Sequence, residues 1–82
     1  MASVTIKTAG EAYEIALSSP AVVVGDDERF AATLGRIVDG MVADYTPALG
    51  GQASFVARQL KARLGATVVS VDEPPSEEGV VY

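Results

Sequence analysis

The chain has no cysteine, no histidine and no tryptophan. Without cysteine no disulfide can brace the fold. Without cysteine and histidine, zinc sites and imidazole or thiolate catalysis lack their usual groups. Any metal would have to be held by oxygen alone. Aromatic residues are few, two Phe and three Tyr among 82 residues. No apolar run approaches the roughly eighteen residues of a membrane span. No secretory pattern opens the chain, because Lys7 is followed by no long apolar stretch. The expected setting is cytoplasmic or within a macromolecular assembly, with no membrane partner.

What is present is globular in composition, 49% hydrophobic and 21% charged. The length allows one domain. Much of the apolar content is Ala and Val, so the core is thin. Apolar burial at roughly 25 cal/mol per Å² is nearly offset by an ordering cost of about 1.5 kcal/mol per residue. Small domains close that gap with disulfides, metals or self-association. Here self-association is the route left.

The net charge of −5 is unevenly spread. Residues 1–71 carry seven acids and six bases, a net of −1. Residues 72–82 carry four acids and no base, a net of −4. The division predicts a single domain over 1–71 and an acidic, Pro-containing tail over 72–82. No basic stripe marks a binder of phosphate backbones.

The clearest periodic stretch is 26–45. Phe30, Leu34, Ile37, Val38, Met41, Val42 and Tyr45 recur at helical spacing. Asp26, Asp27 and Glu28 stand at its start, where free N–H groups and the helix dipole favour negative charge. Before it, residues 3–7 alternate as a half-buried strand. Residues 9–17 read in two ways. Thr8 and Glu11 have capping-box spacing for a helix. Tyr13, Ile15 and Leu17 alternate as a strand after a turn at Gly10, and the clean alternation favours this hairpin. Residues 21–24 are a short β-branched run after Pro20.

A second helix is expected over 52–64, with Ala53, Val56, Leu60 and Leu64 as its apolar stripe and Phe55 beside it. Gly65 suits its C-terminal cap, and Arg58, Lys61 and Arg63 complement the dipole. Residues 66–71 read as a strand, with Val69 and Val71 on one side and Val68 on the other. The continuous apolar run suggests a central place in the sheet. Ala31 and Gly35 leave a smooth helix face that a neighbouring element crosses. The expected fold is two-layer α+β, a small sheet of three or four strands with both helices on one face.

Four groupings bear on function. Val80, Val81 and Tyr82 end an acidic spacer, as a strand that docks on a sheet edge would; a frayed terminus is the plain alternative. Asp26, Asp27, Asp72 and Glu73 could offer oxygen ligands to Mg²⁺ or Ca²⁺ if their strands were parallel neighbours. Capping and solvation explain them more simply. Leu49-Gly50-Gly51-Gln52 lacks the Lys and Ser/Thr of a phosphate-binding loop. Arg58 and Lys61 share a helix face and could touch an anion, yet dipole complementation accounts for them. Tyr13 and Tyr45 are better placed for packing than for acid catalysis.

The sequence therefore points to a non-enzymatic protein–protein interaction or assembly protein without a cofactor. Its partner would be itself or another protein. It would be a homo-oligomer building block or an adaptor, and a minor subunit of a virion or other large assembly is one form this could take. The rival readings are a nucleic-acid-binding regulator using the helix pair, and a small-ligand or metal-binding domain.

Overall fold

The computed structural model describes residues 2–18, 20–46 and 51–73. β1 (Ser3–Thr8) and β2 (Glu11–Ala16) form the expected hairpin, in register from Ser3↔Ala16 to Thr8↔Glu11. Its two-residue turn has φ 50° at Ala9 and 86° at Gly10. Positive φ at both positions is the turn whose twist matches the strands. Gly10 takes it freely; Ala9 does not.

β3 (Val22–Val24) pairs antiparallel with β2. α1 (Glu28–Asp44) and α2 (Gln52–Leu64) follow, and β4 (Thr67–Asp72) returns antiparallel to β1. The sheet order is β3-β2-β1-β4. The hairpin is thus the centre, and the strand expected there, β4, is an edge. The inference failed for a physical reason. With helices on one face only, no strand is covered on both sides, so an apolar run does not mark the centre.

A bulge corrects the facing of β4 as well. Thr5 pairs with Ser70 and Ile6 with Val68, which leaves Val69 as the extra residue. Val68 and Val71 therefore stand opposite Ile6 and Val4, on the helix side. Strict alternation had put Val69 with Val71.

The core lies between sheet and helices. Val4, Ile6, Tyr13 and Ile15 come from the sheet. Ala31, Leu34, Val38 and Met41 come from α1, and Ala53, Val56, Ala57 and Leu60 from α2. α1 packs over β3, and α2 over β4 and β1. Leu64, expected in the α2 stripe, is exposed. The helix stops there because Gly65 turns left-handed at φ 66°, its N–H bonded to Lys61 O at 3.1 Å.

α1 begins at Glu28, the last residue of its acidic cluster, rather than at Asp26. Asp27 is its N-cap, and its Oδ1 accepts from the N–H groups of Arg29 and Phe30, both at 3.1 Å. Tyr45 caps the other end and tilts against Phe55, ring centroids 5.5 Å apart, which ties the end of α1 to the start of α2. No helix among the described residues is long and apolar enough to cross a membrane.

Candidate functional site

The sheet has one face under the helices and one that no described element covers. The register puts Ser3, Thr5, Lys7, Ala12, Glu14, Ala16, Val22, Val24 and Ser70 on that second face. It also leaves β3 and β4 with one side each outside the ladder. Among the described residues, five large hydrophobics are exposed: Val22, Val24, Leu64, Val69 and Val71. Four of them sit on the two edge strands. β-branched side chains favour the extended backbone here without gaining full burial.

Beside β3 runs a groove of about 470 Å³, floored by α1. Ala31, Ala32 and Gly35 give it a smooth helix wall, while Glu28, Arg36 and Asp39 supply its charge. A β-carbon at Gly35 would stand 3.8 Å from Ala21 O and from Val23 Cγ2. The element expected to cross that smooth face is therefore the β3 segment, at ordinary contact distance. Asp39 Oδ1 accepts from the Ala21 N–H at 2.9 Å and holds the entry to β3 against the helix. Sequence reasoning missed that contact, since an acid in mid-helix gives no sign of a partner 18 residues earlier.

At the other end of β3, Tyr13 fills the corner. Its ring is buried, meets Phe30 edge-on at 5.1 Å and 62°, and lies close against Gly25. Its hydroxyl donates to Glu11 Oε2 at 2.6 Å. That bond, then burial, then the negative charges of Glu11, Asp27 and Asp26 push the phenol up to about 12. Such a group keeps its proton at neutral pH. It offers packing and one fixed hydrogen bond, and no acid–base chemistry near pH 7.

The four carboxylates considered for a cation do not meet. Asp26 and Asp27 follow β3, at one edge of the sheet. Asp72 and Glu73 lie at the end of β4, at the other edge. The strand ends also point in opposite directions, since three antiparallel steps separate them. No group of three or more metal-ligating side chains occurs among the described residues. Asp27 is a helix cap, and Glu73 has a different place altogether. Its carboxylate lies on the backbone of Gly51, the N-cap of α2, which has no capping side chain of its own. A carboxylate at a helix start is favoured by the dipole.

Arg58 and Lys61 are exposed on α2, as the spacing implied. Lys61 and Arg63 fall in the last helical turn, where they complement the dipole. Val80, Val81 and Tyr82 lie outside the described residues, as do Leu49 and Gly50. Compared with known proteins, the chain matches no family model, no curated protein and no solved structure.

Proposed function

We propose that this is a non-enzymatic protein–protein interaction or assembly domain that binds protein along the edges of its sheet. One observation carries the reading: Val22, Val24, Val69 and Val71 are exposed on the two edge strands. Sheet edges that are meant to stay free usually carry Lys or Pro, or are covered. The sequences VVV and TVVSVD contain neither residue. The thin core supports the same reading, because association adds burial that a chain of this size lacks.

The test is solution mass by light scattering across a concentration series. The native chain is compared with one in which both edges are blocked, Val24→Lys with Val69→Lys. The assembly reading expects the native chain to exceed monomer mass and the blocked chain to stay monomeric with unchanged circular dichroism. Two monomers at every concentration refute self-assembly.

A further inference from the structure

We propose that β4 is the seat of a two-fold homodimer, in which it pairs antiparallel with β4 of a second copy. The inference rests on the assembly reading and names which edge is used and what occupies it.

Three observations select this edge. The first is length: β4 offers six residues and β3 only three. The second is apolar exposure at the middle of β4. The bulge removes Val69 from the β1 ladder and leaves it 58% exposed, with Val71 at 41%. A bulge often blunts an edge, but this one adds no charge and presents a valine.

The third is charge. Asp72 stands at one end of β4, while the carboxylate of Glu73 next to it is turned onto Gly51. At the other end, Thr67 pairs with Lys7, and Lys61 and Arg63 close α2 just before it. The edge is acidic at its finish and basic at its start. Five residue steps of about 3.3 Å, some 17 Å, separate the two ends. Antiparallel pairing brings Asp72 beside the partner's Thr67, and so beside the partner's Lys7, Lys61 and Arg63. Parallel pairing would set acid against acid. Opposite potentials in this arrangement fix orientation more than they add affinity.

The same reasoning disfavours β3. Glu28 and Asp39 line the groove beside that edge against Arg36. Two copies meeting there would bring excess negative charge together. A two-fold β4 pair also closes on itself, because each copy uses the same patch. What remains outside is a three-residue acidic edge, so growth stops at the dimer.

The experiment is sedimentation equilibrium on the full chain in low salt and with added salt, with three single variants. Val69→Lys and Asp72→Lys act at β4; Val24→Lys acts at β3. Each substitution occurs twice across a two-fold interface, so the β4 variants should weaken the dimer about tenfold or more. Val24→Lys should leave it within about twofold, and salt should weaken the native dimer. Asp72→Lys serves where Val69→Lys disturbs the fold, which circular dichroism reports. If the native chain associates and only Val24→Lys dissociates it, the β4 assignment is overturned while the assembly reading stands. A native chain that is monomeric throughout overturns the homodimer and self-assembly, but not binding of a different protein at a sheet edge.

Discussion

Gly25→Ala should be among the most damaging single-methyl additions in this protein. The position has no left-handed backbone to protect, since among the described residues only Ala9, Gly10 and Gly65 have positive φ. The reason for glycine is space. A β-carbon there would run into Cδ1 and Cε1 of the Tyr13 ring and stand 3.1 Å from Cγ. The ring cannot simply slide away. It is 2% exposed, Phe30 meets it at 5.1 Å, and its hydroxyl is fixed to Glu11. Either the strand shifts, at an overpacking cost of about 1–3 kcal/mol, or the ring leaves. Removing a large aromatic from a core costs about 3–5 kcal/mol. The cheaper route sets the loss, about 2–3 kcal/mol.

A domain of this size loses roughly 4–8 °C in Tm per kcal/mol, so the midpoint should fall by about 10–20 °C. Urea unfolding followed by far-ultraviolet circular dichroism gives the free energy directly. The decisive control is the same change in a Tyr13→Leu background. With the ring gone, an added methyl at a compatible backbone should be neutral or gain about 0.4–1 kcal/mol. A loss that persists in that background would show the collision with Tyr13 to be irrelevant. A loss below about 0.5 kcal/mol in the native chain would show the corner to be loosely packed.

Three further outcomes follow from the geometry. Ala9→Asn should raise the unfolding free energy from urea denaturation by about 1 kcal/mol, since Asn tolerates φ of 50° far better than Ala and precedes Gly10 in the favoured hairpin order; no change would mean the turn is not so formed in solution. Gly51→Ala should cost less than about 1 kcal/mol, because the carboxylate its methyl meets is the far end of the flexible Glu73 side chain and can swing away, and Glu73→Ala should remove that cost in a double-mutant cycle; a loss above about 2 kcal/mol would show the Glu73 side chain to be fixed there. Because the folded phenol of Tyr13 is raised from 10.0 to about 12, its contribution is complete below pH 10 and lost as pH rises toward 12. Unfolding followed against pH should fall in that window, and Tyr13→Phe should flatten the fall.

Much of the fold was legible because it is written in short-range pattern. Alternation at Val4, Ile6, Tyr13 and Ile15 favoured the hairpin over a helix at 9–17, and the same four residues are the sheet's share of the core. The period from Phe30 to Met41 fixed the main helix. The turn at Gly10 and the cap at Gly65 followed from the one residue that takes left-handed backbone at no cost. What was not legible depends on sequence-distant partners. Strand order is decided by which ladders close, so the edge position of β4 had no local sign. One bulge residue, Val69, reversed the facing of half a strand. Gly25 and Gly51 read as punctuation, yet each is shaped by a side chain elsewhere, Tyr13 for one and Glu73 for the other.

The carboxylates show why residue type alone misled about chemistry. Asp26, Asp27, Asp72 and Glu73 look like a ligand set when counted, and the antiparallel order sends the two pairs to opposite corners of the sheet. Once placed, each acid has work of a different kind. Asp27 caps α1, and Glu73 lies at the start of α2. Asp72 ends an edge strand whose beginning is basic. Charge here is laid out along the sheet edge rather than gathered into a pocket. A gathered cluster binds a small ion, whereas a line of charge with exposed valines between its ends fits another strand. A chain without His or Cys thus has a polarised edge strand, and under the proposal above that edge recognises the backbone of another strand. If charge reversal at Asp72 left self-association untouched while salt still weakened it, the polarity of β4 would not be what orients the partner.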